Sequence, residues 1–366
     1  MPTTLWRIST WNPSVLRATS GIASPRPVGN DGAEEILKTR STCRIPSVNL
    51  NQRALVLCRE FLNRAAELRV RLLKVGDRGR VIDCGIETPG GLEAGRLLAE
   101  VCLAGLGRVN IVPGRADVWP GPAVQVETDH PVAACMASQY AGWEIKGEGF
   151  FAMGSGPMRA AANREKLFES IGYSERPEAA VGVLETRVLP TPIVAAQLAE
   201  ACGVKLDDLV LLVAPTASQV GTVQIAARSV ETSLHKLFEL GFDLDRVESG
   251  YGIAPLPPVA ANDLEGIGRT NDAILYGAEV TLYVRADDER LLELGPKVPS
   301  SSSPDHGEPF AAIFARAGND FYKIDPHLFS PAVVRLVNLQ SGKTFQFGRV
   351  VSDVLARSFG TAQSQR

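Results

Sequence analysis

The sequence predicts an α/β fold, because one plan occurs three times along it: a short apolar strand, a turn bearing Gly or Ser, and a helix directly after. The first instance is Arg80–Gly85, the turn Thr88–Gly91 and a helix over Leu92–Ala104. The second runs from Gly149–Met153 through Gly154–Pro157 into a helix over Met158–Ile171, and the third from Leu209–Pro215 through Thr216–Ser218 into a helix carrying Arg228. Their residues do not match in register, so the architecture recurs without a sequence repeat. With 366 residues, 45% hydrophobic and 22% charged, the chain is long enough for two such cores. The expectation is two α/β domains. Residues 47–150 with 305–360 form the first, 151–304 the second, and 361–366 a frayed tail.

Residues 1–46 are rich in Ser, Thr, Pro and Arg, carry no acidic residue before Asp31 and lack any periodicity, which predicts a disordered extension. From Ser47 the spacing of Val48, Leu50, Ala54, Leu55, Cys58, Phe61 and Leu62 predicts an amphipathic helix with Ser47 as N-cap. In the turn Gly154–Pro157 the backbone N–H groups of Ser155 and Gly156 can face a polar ligand, with Pro157 suited to the first helical position. The turn is not GxGxxG, and no acidic residue follows at the dinucleotide spacing, so no nicotinamide cofactor is expected. Thr128–Pro131 and Thr270–Asp272 are polar clusters read as element boundaries, where Asp and Asn more often cap helices than touch ligands. Glu185 is more suggestive. It ends the apolar strand Ala179–Leu184, and ligands in α/β folds gather beyond strand ends. Pro299–Pro304 reads as a surface loop or a domain crossing, and His306–Phe310 leads into a further helix.

Charge and composition exclude several classes. A net charge of −3 with no basic stripe gathers no nucleic acid, and no apolar run reaches the roughly 18–20 residues of a membrane span. A cytoplasmic protein is expected. Cysteines 43, 58, 84, 102, 135 and 202 are scattered without a CxxC pair, which predicts reduced core thiols. His130, His235, His306 and His327 are dispersed, with no HExxH, so no metal cage is legible.

The best clue to chemistry is Arg228 and Glu231. On a single helix through Thr222–Gly241, Val223, Ala227, Val230, Leu234, Leu237 and Phe238 form one apolar stripe, with Gln224, Arg228, Glu231 and His235 on its flank. On a solvated face such a pair stabilises the helix by roughly 0.2–0.5 kcal/mol and means nothing more. Beside a buried face, a guanidinium can hold a dry carboxylate ionised, ready to act as a general base.

Five motifs then carry a resemblance. Thr128–Cys135, Ser138–Trp143, Phe151–Pro157, Val213–Ser218 and Asn319–Pro326, in that order between about Ser47 and Gly360, resemble the methenyltetrahydromethanopterin cyclohydrolases. The resemblance implies two α/β domains with a ligand pocket between them, a homotrimer, no metal or redox cofactor, and a small-molecule pterin substrate whose methenyl bridge is reversibly hydrolysed to the 5-formyl derivative. It also implies that the family's Arg and Glu, three apart, are matched by Arg228 and Glu231. A carboxylate facing the pterin edge is expected, with Glu185, Asp129 and Asp272 as candidates in that order. Tyr140 stands where archaeal members tend to carry Lys, which suits a less charged carrier and a bacterial role in formaldehyde oxidation. A non-catalytic module that binds the same carrier is the alternative.

Overall fold

The computed structural model describes residues 48–76 and 78–360. The expected extension 1–46, Ser47, Cys43 and the tail 361–366 lie outside the described residues. In chain order the elements begin with α1 (Leu50–Asn63), α2 (Ala65–Leu68), β1 (Arg71–Val75), β2 (Gly79–Asp83) and α3 (Leu92–Cys102). Next come β3 (Gly107–Pro113), β4 (Pro122–Thr128), a π-helix (Val132–Gln139), β5 (Trp143–Gly147), β6 (Phe150–Ser155), α4 (Met158–Ala162) and α5 (Lys166–Ile171). Then follow β7 (Ala180–Glu185), α6 (Pro192–Ala201), β8 (Leu209–Ala214), α7 (Gln219–Ala226), α8 (Ser229–Glu239), β9 (Val247–Pro255) and α9 (Asp263–Gly277). The chain closes with β10 (Glu279–Val284), α10 (Asp288–Leu294), α11 (Phe310–Arg316), β11 (Val333–Asn338), β12 (Thr344–Gly348) and α12 (Ser352–Phe359).

The α/β class holds, in the form of two six-stranded sheets. The first has the order β1-β2-β8-β7-β6-β5 and the second β12-β11-β10-β9-β4-β3. Each is mixed: β2, β8 and β7 run parallel, as do β10 and β11, while every other neighbour pair is antiparallel. The strands are shared out otherwise than boundaries at 150 and 304 suggest. β3 and β4 join the second sheet, and β6, β7 and β8 join the first.

Central strands β7 and β8 are apolar on both faces, as a sheet covered on both sides requires. Ile82, Val181, Val183, Val210 and Leu212 face α1 and α3, while Val81, Leu184, Leu211 and Val213 face α6, the period of two expected of a strand. The second sheet buries one face. Val124, Val126, Val280, Leu282 and Leu336 point inwards to meet Val230, Leu234 and Leu237 of α8 and Ala134 and Met136 of the π-helix. α9, α11 and α12 share a separate core around Tyr276, Phe310 and Leu355.

Local departures from the sequence expectation have identifiable causes. Asn49, rather than Ser47, caps α1 by accepting the Gln52 amide at 2.8 Å. The helix expected over Met158–Ile171 breaks at Asn163, whose φ of 47° puts it in the left-handed region. Thr270–Asp272 is not a boundary but lies inside α9, where Thr270 and Asn271 turn their side chains back onto the carbonyls of Gly266 and Ile267. Cys58, Cys84, Cys102, Cys135 and Cys202 are buried free thiols, as expected.

Asp83, fully buried at the end of β2, organises the turn before α3. Its Oδ1 accepts the amides of Gly85 and Ile86 at 3.0 and 2.7 Å, and its Oδ2 those of Glu87 and Thr88 at 2.8 and 3.1 Å. Asp83→Ala strips four amides of their acceptor and should lower stability by about 3 kcal/mol or more, with Asp83→Asn losing less. Urea midpoints measure this, and an Asp83→Ala midpoint equal to the parent's would contradict it.

Candidate active site

The helix read through Thr222–Gly241 is two helices. α7 ends at Ala226, Ala227 and Arg228 form the joint, and α8 starts at Ser229. Five residues of the expected stripe are nonetheless buried, with Val223, Ala227, Val230, Leu234 and Leu237 at 0% exposure, and Phe238 is half-buried. The chain breaks because its two halves serve different layers. α7 lies against α3, close enough that a Cβ on Gly95 would come within 2.7 Å of Val223. α8 lies over β9, close enough that a Cβ on Gly250 would come within 2.6 Å of Val230.

Arg228 stands at the joint and Glu231 in the first turn of α8, where the positive end of the helix dipole favours a carboxylate. Both are buried, Arg228 at 7% exposure and Glu231 at 4%. Their closest approach, Nη1 to Oε2, is 4.0 Å. The guanidinium is occupied elsewhere. It donates to the carbonyl of Gln139 at the end of the π-helix, to Oε1 of Gln224 at 3.0 Å and to Oγ of Ser155 at 3.3 Å. Among the described residues the Glu231 carboxyl has no hydrogen-bond donor, only the ion pair at its outer limit. Burial therefore dominates, raising its pKa to about 7 against the opposing pull of Arg228 and, more weakly, Arg159. Arg228 thus does not hold Glu231 fully ionised, as the sequence reading expected.

Around the pair stand Tyr140, His235 and Arg159. Tyr140 stacks on His235 with centroids 4.9 Å apart at 16°, and the Arg159 guanidinium lies over the Tyr140 ring, 5.0 Å from its centroid. Burial, reinforced by the charge of Glu231, pushes the Tyr140 phenol up to about 12, and burial lowers His235, so both rings are neutral at pH 7. Beneath Arg228, Cys102 Sγ lies 3.8 Å from Ser155 Oγ and 3.9 Å from Gln224 Oε1. Two surface hollows, one walled by Trp119, Pro255 and Gly277 and the other by Phe242, Arg246 and Arg290, contain neither Arg228 nor Glu231.

A family model described as Cyclohydrolase (MCH) matches residues 49–359. The chain belongs to the methenyltetrahydromethanopterin cyclohydrolase family. It is similar to the methenyltetrahydromethanopterin cyclohydrolase of Rhodopirellula baltica, 49% identical over 286 residues covering 77% of this chain and 86% of that protein. The proteins of the same name from Methylobacillus flagellatus and Methanosarcina barkeri are 45% and 43% identical, each over 86% of this chain and over 96% and 98% of their own length.

In this cyclohydrolase-family chain the structure gathers some expected residues and separates others. Ser155 is brought to Arg228, and Gly156, at a φ of 85°, turns the chain so that its amide donates to Ser138 O at 2.8 Å. Tyr140 comes beside Glu231. Glu185 sits half-buried at the end of β7, accepts a hydrogen bond from Thr216 Oγ1 and lies within electrostatic reach of Cys102. Asp129 is exposed and accepts from Ser249 Oγ at 2.7 Å. Asp272 is not brought to the pair: fully buried in the α9–α11 contact, it accepts the Phe310 amide at 2.8 Å, and burial raises its pKa to about 7. It holds the start of α11. Gln139 and Arg159 were missed by sequence reasoning, although Gln139 lies inside the quoted Ser138–Trp143 motif and Arg159 two residues beyond the Gly154–Pro157 turn.

The folded Glu231 carboxyl holds its proton up to about pH 7, whereas an unfolded one loses it near its ordinary value of 4.5, so stability present below pH 4.5 is lost as pH rises towards 7. Glu231→Gln removes this dependence. Its stability should exceed the parent's above pH 7, by on the order of 3 kcal/mol, and match it near pH 4.5. Parallel urea melts across pH 4.5–8 test this, and a constant difference would contradict it.

Proposed function

We propose that the protein reversibly hydrolyses 5,10-methenyltetrahydromethanopterin to its 5-formyl derivative, with Glu231 carrying the proton of the attacking water. Support comes from family membership and from one observation above others: a carboxyl buried to 4% exposure with its guanidinium partner 4.0 Å away, an environment that raises its pKa to about 7 and lets it both accept and return a proton at neutral pH. The bridging carbon is an amidinium-like cation between two nitrogens. Ionised Glu231 takes a proton from water as the oxygen bonds to that carbon. The bond to the aryl nitrogen then breaks, its electron pair staying on that nitrogen, which receives the proton back from Glu231. The hydroxyl proton leaves to solvent, so one proton is released per turnover.

Arg228 keeps part of the Glu231 population ionised at neutral pH. The half-exposed Tyr140–His235 face beside Glu231 is the surface on which the substrate rings would lie. For the pterin edge we favour Glu185, because it shares with Arg228 the electrostatic environment of Cys102. The reading carries with it a cytoplasmic homotrimer, hydrolysis without metal or redox cofactor, and a place in bacterial formaldehyde oxidation, as the family resemblance implies.

Loss of the methenyl near-ultraviolet band on adding purified protein is the assay. A module that only binds the carrier shifts the band, whereas hydrolysis erases it catalytically. Glu231→Gln should lower kcat by about 100-fold or more while leaving substrate binding largely intact; near-normal turnover removes the assignment. kcat/KM for hydrolysis should fall about tenfold per pH unit below pH 7 and level off above it. Arg228→Lys should lose much of the turnover, since a point charge cannot reach three separate acceptors with one planar fork.

A further inference from the structure

The end of the π-helix is held by two guanidinium groups. Gln139 O receives Arg228, while the carbonyls of Met136 and Ser138 receive Arg159 Nη1 at 2.9 and 3.4 Å. A helix that closes its rings over five residues, as Tyr140 N–H does onto Cys135 O at 2.8 Å, leaves several final carbonyls without partners. These carbonyls also form the negative end of its dipole, which attracts cations.

Arg159 is placed for more than capping. Its side chain is wholly buried, its Nε and Nη2 make a two-pronged contact with Glu165 at 2.8 and 2.5 Å, and its guanidinium carbon lies 5.0 Å from the Tyr140 ring centroid. It follows the Gly154–Pro157 turn whose Ser155 hydroxyl also accepts from Arg228. One short segment, Ser155–Arg159, therefore holds both Arg228 and the carbonyl row that seats it. Among the described residues, the charges that bear on Glu231 are those of Arg228 and, more weakly, Arg159, while Glu165 and Glu239 bear on the adjoining Tyr140. Cys135 and Tyr140 are held protonated by burial, and along α8 His235 is uncharged. Further along α8, Lys236 turns to His327 O and Ser302, and Glu239 is exposed.

We infer that Arg159 is a positioning residue for the hydrolysis: through the π-helix end it sets where Arg228 stands, and with Glu165 it sets the second positive field at Glu231. This rests on the reading of Glu231 as the base. Arg159 needs no contact with substrate, and Glu165 tempers its charge. The pair is thus a built-in adjustment of the pH at which Glu231 becomes ionised.

The test is the pH profile of kcat/KM for methenyl hydrolysis in Arg159→Met, Arg159→Lys and Glu165→Gln, with Glu231→Gln as control. Removing the cation in Arg159→Met should move the ascending limb upward by about half a unit or more, about threefold in rate at a pH below both midpoints. Arg159→Lys keeps the charge but cannot span two carbonyls and a carboxylate, so its limb should move less while its plateau falls. Glu165→Gln frees the charge of Arg159 and should move the limb downward. If Arg159→Met does not accumulate as folded protein, this opposite shift carries the test. Variants that lose activity equally at all pH values, or a Glu165→Gln limb that stays in place, would reduce Arg159 to a structural cap and overturn the inference. A fully active Glu231→Gln would instead overturn the reading beneath it, and the two failures are distinguishable.

Discussion

The joint at Ala227–Arg228 is the constraint on which the rest of the site depends. α7 must lie on α3, which covers the first sheet, and α8 must lie on the second sheet. A straight helix cannot follow both directions, so the chain turns once. At that turn Arg228 points sideways into carbonyl and hydroxyl acceptors rather than along a helix flank, and three residues later Glu231 enters the dry layer. The glycines at 95 and 250 let the two helices approach their supports, since a methyl group at either would collide with a valine of the joint's own helices.

Electrostatically the site is a near balance. Removing a carboxylate from water costs several kcal/mol even after the protein relaxes. A guanidinium at the observed 4.0 Å returns about 4 kcal/mol at the effective dielectric of a partly buried pair. Neither wins outright, and Glu231 titrates near 7 rather than near 4.5. Had Arg228 made a two-pronged contact with Glu231, as Arg159 makes with Glu165, the carboxyl would be a weak base, locked in its ionised form. The acceptors at Gln139, Gln224 and Ser155 prevent that by engaging the donors first.

Much of this was legible in the sequence, for reasons that are local. The strand–turn–helix order, the buried stripe from Val223 to Leu237 and the position of Glu185 at a strand end all follow from spacing within 20 residues. What failed to show depends on distance along the chain. The pairing of β4 with β9 joins residues more than 100 positions apart, so the allocation of strands to sheets could not be read from boundaries. The helix joint was hidden because the apolar period runs through Ala227 without interruption. Asp272 looked like a boundary residue, and only the tertiary contact with Phe310 shows it to be a buried acceptor inside α9. Arg159 and Gln139 act through carbonyls of the π-helix, a geometry no residue pattern announces.

The most direct measurement is the titration of the Glu231 carboxyl itself in the resting protein, by carbon-13 resonance of labelled glutamate with Glu231→Gln to assign the signal. The balance of burial and guanidinium charge predicts a midpoint of about 7. A midpoint at the ordinary 4.5 or below would contradict it, because the carboxyl would then be solvated or held tightly by Arg228.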